Sequence, residues 1–174
     1  MTTIIVVHGL PGSGKTTISD ALANRLKCSR INADQIRDSV SKDLKFSALD
    51  RKIQAYRLGC ISAIALHTPI SIVGGQDANH LNKIVVTDFV NPTEETRSTF
   101  RWAVRSNSSG NPIKLVEIWM NTISKEDSRF KDTSALYETP SHVDYTVTKW
   151  DKPIKLEEEV NNILSQCLGA TKFV

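Results

Sequence analysis

A glycine-rich loop behind an apolar, β-branched run is the feature that most constrains this chain. Residues 9–16, GLPGSGKT, fit the pattern G-x-x-x-x-G-K-[ST] and follow the run Ile4-Ile5-Val6-Val7. Glycines at positions 9, 12 and 14 let backbone N–H groups turn inward around an anion, and a helix beginning at Lys15 points its N-terminus at the same place. The sequence therefore predicts a strand, a phosphate-binding loop and a helix that together bind a nucleoside triphosphate.

The polar residues of the loop have separate uses. Lys15 is a point charge that reaches the β- and γ-phosphates, and the Thr16 hydroxyl has the right size to bind Mg²⁺. A glycine-rich turn without a ligand is disfavoured, because strand, loop, Lys-Thr pair and helix all agree. The expected nucleotide-binding residues of the loop are Gly9, Pro11, Gly12, Ser13, Gly14, Lys15, Thr16 and Thr17.

Composition indicates one domain of ordinary size. The 174 residues are 40% hydrophobic, so we expect a single domain over residues 1–174. No apolar run is long enough to cross a bilayer and no signal peptide is recognisable, which predicts a cytoplasmic protein without membrane contact. Cys28, Cys60 and Cys167 are odd in number and widely spaced, which favours free thiols. The net charge of +3 suits anionic ligands but falls short of a dedicated nucleic-acid binder.

Short apolar runs alternate with helical patterns, as a parallel sheet with crossover helices requires. Strands are predicted near residues 3–8, 29–32, 84–89, 113–120 and 143–148, and helices near 15–27, 47–66, 93–106 and 155–168. Thr93 is the expected cap of the third helix, followed by two acids that the helix dipole favours. The predicted fold class is α/β, a three-layer P-loop kinase fold with a central parallel five-stranded sheet flanked by helices.

Polar residues follow two of the predicted strands. Asp34 and Arg37 come after the second strand, at the sheet edge that the phosphate loop also occupies. Asp34 is a candidate to accept a hydroxyl proton or to hold Mg²⁺-bound water, and Arg37 to bind an anionic acceptor. The alternative is a helix-capping aspartate paired with a surface arginine. Asp88 ends the third strand and is either a carboxylate near the metal or a capping aspartate.

Three segments carry a resemblance to a known kinase family. Residues 32–37, NADQIR, and 41–51, SKDLKFSALDR, resemble the patterns D-G-D-N-[IV]-R and N-[KR]-D-L-G-F-S-x-x-D-R of the adenylylsulfate kinases. Residues 84–92, IVVTDFVNP, resemble that family's V-T-x-F-[IV]-x-P. The resemblance covers roughly the first hundred residues. It implies transfer of the γ-phosphoryl group of MgATP to the 3′-hydroxyl of adenosine 5′-phosphosulfate (APS), with ATP and Mg²⁺ as cofactors.

The resemblance also implies roles for individual residues. Arg37 and Arg51 would hold the phosphosulfate and Phe46 would stack on the acceptor adenine; from the sequence alone, Phe46 is equally explained as a core residue. The expected catalytic residues are Lys15, Asp34 and Arg37, and the expected metal-binding residues are Thr16 and Asp88. The expected acceptor-binding residues are Asp34, Arg37, Phe46, Arg51, Gln54, Phe89 and Val90.

The chain departs from the family pattern in four places. Asn32 replaces the first Asp of D-G-D, which removes a negative charge, and Gln54 replaces an Asn. Residues 68–83 are predicted to be an insertion that adds a hairpin or a flap, and His67 and His80 are expected to be solvated. A short lid is predicted over residues 125–139, in which Arg129 and Lys131 either close over the triphosphate or belong to an ordinary charged loop.

These departures leave other functions open. The first is a related small kinase that phosphorylates another hydroxyl, such as a nucleoside, a polynucleotide end or a hydroxymethylated base in DNA. A GTPase is disfavoured because no N-K-x-D motif occurs late in the chain. A binding module without transfer activity is disfavoured because Lys15, Thr16, Asp34 and Asp88 are all present. The expected partner is a small-molecule nucleotide acceptor, with nucleic acid only under the first alternative; a homodimer is left open.

Overall fold

The apolar runs of the sequence form five parallel strands. The computed structural model describes residues 2–67, 84–108, 110, 112–148 and 155–169. Within it the order across the sheet is β2-β3-β1-β4-β5, and each neighbouring pair is parallel. The strands are β1 (Thr2–Gly9), β2 (Ser29–Asn32), β3 (Ile84–Phe89), β4 (Ile113–Met120) and β5 (Tyr145–Val147). The predicted five-stranded parallel sheet is therefore confirmed.

Helices connect the strands and cover both faces of the sheet. In the described residues they are α1 (Lys15–Leu26), α2 (Ala33–Ser39), α3 (Ala48–His67), α4 (Glu94–Ser106), α5 (Lys131–Leu136) and α6 (Leu156–Leu168). The four predicted helices correspond to α1, α3, α4 and α6. The short helices α2 and α5 were not predicted, and β5 is shorter than the predicted strand 143–148.

The core lies in two layers, one on each side of β1. Alternate residues of a strand point to opposite faces, so Ile5 and Val7 pack with α1 and α6, whereas Ile4 and Val6 pack with α3 and α4. All four side chains are buried, as expected for the central strand of a parallel sheet with helices on both faces. This arrangement confirms the predicted three-layer α/β fold.

The parallel sheet gathers the polar segments of the chain at one edge. The phosphate loop follows β1, α2 follows β2, and Asp88 lies opposite Asn32 in the pairing of β2 with β3.

Thr93 caps α4 in a capping box, as predicted. All three cysteines are free thiols. None of the helices in the described residues is long and apolar enough to cross a membrane. The predicted insertion, residues 68–83, lies outside the described residues.

Candidate active site

The phosphate loop has the backbone conformation that its glycines predict. Gly12 and Gly14 have φ angles of +90° and +91°, in the left-handed region that side chains disfavour. At Gly9 a Cβ atom would lie 2.6 Å from the carbonyl oxygen of Met120, so a side chain there would push the loop away from β4. The Ser13 backbone N–H donates to the Leu10 carbonyl at 3.1 Å. The conformation of the loop is therefore defined by its own backbone contacts.

Lys15 lies inside this loop. Its Nζ donates to the Leu10 carbonyl oxygen at 2.8 Å. Burial lowers the pKa of Lys15 to about 8, and the charges of Asp88 and Asp34 oppose that shift. Because an ionised phosphate oxygen is a stronger acceptor for an ammonium than a neutral carbonyl, a bound triphosphate favours the charged lysine.

An open cavity of about 320 Å³ lies against the phosphate loop. Its lining brings the start of α1 together with the predicted lid: Gly12, Gly14, Lys15, Thr16, Thr17, Arg129 and Phe130. Arg129 thus faces the predicted nucleotide site, whereas the Lys131 ammonium donates to the carbonyl of Glu126 within its own loop. Sequence reasoning missed Phe130, which is 60% exposed. An aromatic residue between Arg129 and Lys131 was the signal that could have identified it.

On the other side of the edge, Phe46 lies between two arginines. The guanidinium carbon of Arg37 is 4.8 Å from the centre of the Phe46 ring, and that of Arg51 is 5.6 Å from it. Both distances fall within the range of cation–π contact. The ring is 65% exposed, which excludes the alternative that Phe46 is a core residue. The structure therefore brings these three predicted acceptor residues together at the surface.

Backbone carbonyls hold the two arginines in place. Arg37 Nη1 donates to the Lys45 carbonyl at 2.6 Å, and Arg51 Nε donates to the Phe46 carbonyl at 3.0 Å. Burial lowers the pKa of both guanidinium groups, and the charge of Arg37 lowers the pKa of Arg51 further. Each guanidinium has more N–H donors than these bonds use, so both arginines can also bind an anion.

Asp34 lies in the first turn of α2 and is exposed. The cap of this helix is Asn32, whose Oδ1 accepts from the backbone N–H groups of Asp34 and Gln35. The alternative reading of Asp34 as a helix cap paired with Arg37 is therefore wrong, since Asn32 supplies the cap and Arg37 bonds to the 45–46 loop. The charge of Asp34 opposes the effect of burial at both Lys15 and Arg37, since it raises the pKa of each of these cations.

Asp88 is more constrained than the sequence suggested. Its side chain is 2% exposed, and both oxygens accept from Arg30, at 2.8 and 3.0 Å. Asn32 Nδ2 donates to Oδ2 at 2.8 Å. An Asp at position 32 would bring two carboxylate oxygens together, whereas the amide of Asn32 supplies a donor.

The residues present fit a magnesium ion only in part. The Thr16 side chain is exposed beside the cavity, but both oxygens of Asp88 already accept hydrogen bonds. Among the described residues no cluster of three His, Cys, Asp or Glu side chains could hold a metal. Mg²⁺ commonly binds through few protein ligands together with substrate phosphates and water. Thr16 with the triphosphate oxygens therefore suits the ion better than Asp88 does.

Two predicted acceptor residues lie in the interior instead. Gln54 is 3% exposed and its Nε2 donates to the Ala33 carbonyl at 3.1 Å, at the start of α2. Phe89 is 8% exposed and packs on Phe100, with ring centres 5.3 Å apart. Both side chains point from α3 and β3 into the core, so they pack beneath the site and do not line it. Val90 is half-buried, and its carbonyl accepts from the backbone N–H of Gly9.

A buried histidine joins the phosphate loop to the lid. His8 lies near the end of β1 and is fully buried, and its Nδ1 lies 3.3 Å from the hydroxyl of Tyr137, the residue after α5. Burial, with the nearby charges of Arg97 and Arg101, lowers the pKa of His8 to about 3, so the ring is neutral. Sequence reasoning missed this pair, because the two residues are 129 positions apart.

The sheet order, the phosphate loop and an anion-binding edge facing it define a P-loop kinase, the class of enzymes that transfer a phosphoryl group from ATP to an acceptor. The model of the adenylylsulphate kinase family matches residues 1–145. The chain belongs to that family, as the sequence motifs predicted.

Curated relatives agree with this assignment. A probable adenylyl-sulfate kinase of Pseudomonas aeruginosa is 26% identical over 178 residues, which span 90% of this chain and 72% of that protein. The adenylyl-sulfate kinase of a Picosynechococcus strain is 30% identical over 75% of this chain and 64% of its own length. For a relative from Bacillus licheniformis, 31% identical over 60% of this chain, the match spans 49% of its length.

Solved structures show the same fold at lower identity. The Mycobacterium tuberculosis APS kinase in complex with AMPPNP and APS superposes with a TM-score of 0.72 and 17% identity, covering 95% of this chain and 96% of that one. A shikimate kinase from Aquifex aeolicus has a TM-score of 0.56 and 18% identity, with 95% and 96% coverage. These likenesses support the fold alone, since kinases of different named substrates share it.

Proposed function

We propose that this protein transfers the γ-phosphoryl group of MgATP to the 3′-hydroxyl of APS. The observation that carries the proposal is the placement of Phe46 between Arg37 and Arg51, at the same sheet edge as the phosphate loop. An exposed aromatic ring offers a stacking face for the adenine. The two guanidinium groups offer charged donors for the phosphosulfate oxygens. Membership of the adenylylsulphate kinase family supports the same substrate.

On the nucleotide side, Lys15 and the backbone N–H groups of the loop bind the triphosphate, and Arg129 covers it from the lid. The Thr16 hydroxyl would hold Mg²⁺ together with phosphate oxygens, and the ion would supply positive charge to offset that of the phosphates. Phosphoryl transfer through a loose transition state depends mainly on positioning and charge, so Lys15 and Arg37 contribute more than a strong base would. Asp34, exposed beside Lys15, accepts the proton of the attacking hydroxyl or orients it.

Asn32 favours one second candidate, a kinase of the same family that acts on another hydroxyl. The amide removes one negative charge at the acceptor edge relative to the family pattern, and it donates to Asp88. A less negative edge accepts a more anionic acceptor, so a polynucleotide end or a hydroxymethylated base in DNA belongs to the same test. A nucleoside, which has no phosphate, is tested beside them.

The test is an ADP-release assay with MgATP and each acceptor in turn. We expect saturable turnover with APS and none above the ATP-hydrolysis background with nucleosides, DNA ends or hydroxymethylated DNA. Arg51→Ala should raise the KM for APS far more than the KM for ATP. Arg25→Ala is the matched control, since Arg25 lies on α1. Its Nη1 is 3.8 Å from Oε1 of Glu157, in an ion pair at the surface. Turnover only with another acceptor would overturn the proposal in favour of the second candidate.

Two wider expectations belong to this proposal. A cytoplasmic location suits an enzyme with free thiols at Cys28, Cys60 and Cys167 that uses cellular ATP. A homodimer remains a prediction, which the molar mass in solution, measured by light scattering, would test.

A further inference from the structure

Helix α5 lies between the nucleotide side and the acceptor side of the site. Arg129 and Phe130, just before it, line the cavity against the phosphate loop. Tyr137, just after it, contacts His8 on β1. Thr133, in the first turn of α5, contacts a third element: its hydroxyl accepts a hydrogen bond from Arg51 on α3. The segment 129–137, which contains this six-residue helix, therefore contacts both halves of the site.

The contact is a single, well-placed hydrogen bond. Thr133 is 8% exposed, and its Oγ1 accepts from Arg51 Nη2 at 3.1 Å. The same guanidinium donates from Nε to the Phe46 carbonyl at 3.0 Å. Two bonds from one planar group fix both its position and its tilt, so the remaining N–H donors of Arg51 have one preferred direction.

Arg51 needs such support because of its neighbour. Arg37 lies on the same Phe46 ring, and its charge lowers the pKa of Arg51, which means that the two cations repel each other. The Asp132 carboxylate, beside Thr133, offsets part of that repulsion. Without the bond to Thr133, the Phe46 carbonyl would be the one remaining hydrogen-bond acceptor described for Arg51, and the guanidinium could rotate away from Arg37.

We propose that Thr133 is a positioning residue that holds Arg51 in the orientation required for the acceptor. The role of Arg51 in acceptor binding rests on the proposed function; the effect of Thr133 on Arg51 rests on geometry alone. Thr133 lies on the helix that follows Arg129, a lining residue of the nucleotide cavity, so its bond to Arg51 connects the lid with the acceptor side.

The kinetic test uses two variants of Thr133. Thr133→Val keeps the shape of the side chain and removes the hydroxyl, and it should raise the KM for APS about fivefold to tenfold, the usual effect of losing one hydrogen bond. The KM for ATP at saturating APS should rise less, and kcat should stay within about twofold. Thr133→Ser keeps the hydroxyl and should restore the KM for APS. Thr99→Val on α4 is the matched control, because the Thr99 hydroxyl bonds only its own helix, at the Glu95 carbonyl.

A second measurement does not depend on the acceptor. Rotation about the Nε–Cζ bond of Arg51, measured by NMR of arginine-labelled protein, should be slow in the wild type and in Thr133→Ser and fast in Thr133→Val. Equal rotation rates in wild type and Thr133→Val would overturn the inference, as would an unchanged KM for APS in an enzyme that uses APS. If the wild type does not use APS at all, the proposed function fails, while the rotation rates still decide the role of Thr133.

Discussion

Lys15 is the residue on which the proposed transfer depends most directly. It is enclosed by the loop and bonded to the Leu10 carbonyl, so its charge needs little rearrangement when a phosphate arrives. We expect Lys15→Ala to lose on the order of 10²–10³ in turnover, as deletion of a preorganised charge donor does. Steady-state ADP release measures this loss. Lys52→Ala, which removes an exposed lysine paired with Glu95, is the control; near-normal turnover of Lys15→Ala would contradict its role.

At Phe46 the effect of a substitution on acceptor stacking can be measured separately from its effect on stability. Because the ring is 65% exposed, Phe46→Leu should leave the unfolding free energy nearly unchanged. The same change should weaken binding of an adenine-bearing acceptor by about 1–3 kcal/mol, the usual contribution of base–aromatic stacking. Titration calorimetry with APS measures the difference, and Phe46→Tyr should bind normally. Equal affinities for Phe46→Leu and the wild type would remove the ring from the acceptor site.

The lowered pKa of His8 predicts how the free energy of unfolding depends on pH. Its pKa is about 3 in the folded protein and about 6.5 in a model peptide, so below pH 6.5 the unfolded chain binds a proton that the folded protein does not. The stability contributed by the neutral ring is therefore complete above pH 6.5 and decreases as the pH falls towards 3. Between pH 7 and pH 5 the wild type should lose about 2 kcal/mol through this group.

Urea unfolding at the two pH values measures that loss. His8→Phe removes the titrating group and should lose correspondingly less stability on acidification, and His8→Gln serves as a second variant if the phenylalanine does not fit. His142→Gln, at an exposed histidine, should behave as the wild type does. An identical pH dependence for His8→Phe, His8→Gln and the wild type would show that the His8 ring is not kept neutral by its surroundings.

Residue types could be predicted from the sequence, but many of their partners could not. The roles of Gly12, Gly14 and Lys15 follow from local chemistry, and the loop conformation confirms the need for both glycines. The pairing of Arg30 with Asp88 depends on how β2 registers against β3, which no local pattern specifies. The contact between Arg51 and Thr133, which are 82 positions apart, likewise depends on the fold and is not specified by a local pattern.

At the scale of elements, α3 and α4 approach closely at Gly59. A Cβ atom at this position would lie 2.6 Å from Ala103 Cβ and 2.8 Å from the Phe100 carbonyl oxygen. Gly59→Ala should therefore push the helices apart and destabilise the protein by about 1–3 kcal/mol, despite the better helix propensity of alanine. Thermal unfolding measures the change. The double variant Gly59→Ala/Ala103→Gly should recover part of the stability, and a stabilising Gly59→Ala would contradict the close packing.

Long elements were predictable and short ones were not. The repeat Ile18, Leu22 on α1 and the capped start of α4 are local signals, and both helices form where expected. Helix α2 has seven residues and α5 has six, too few for an apolar periodicity to show. Their positions instead depend on contacts made from outside, such as the bond from Asn32 to Asp88 and that from Arg51 to Thr133.

At the scale of the whole molecule, parallel strands explain why one edge carries the chemistry. Every strand of a parallel sheet ends at the same side, so the segments after β1, β2, β3 and β4 converge although they are far apart in sequence. This convergence was predictable from the alternation of strands and helices. The burial of Gln54 and Phe89 was not, because it depends on which way α3 and β3 face once packed.

The proposed reaction at this edge is transfer of a phosphoryl group from ATP to the 3′-oxygen of APS. Phosphorus NMR of the product, after incubation with MgATP and APS, is the measurement that decides it. We expect a new phosphate resonance coupled to the ribose 3′-hydrogen, formed in equal amount with ADP and nearly absent with Lys15→Ala. ADP formed together with inorganic phosphate, or a phosphate attached anywhere other than the 3′-oxygen, would contradict it.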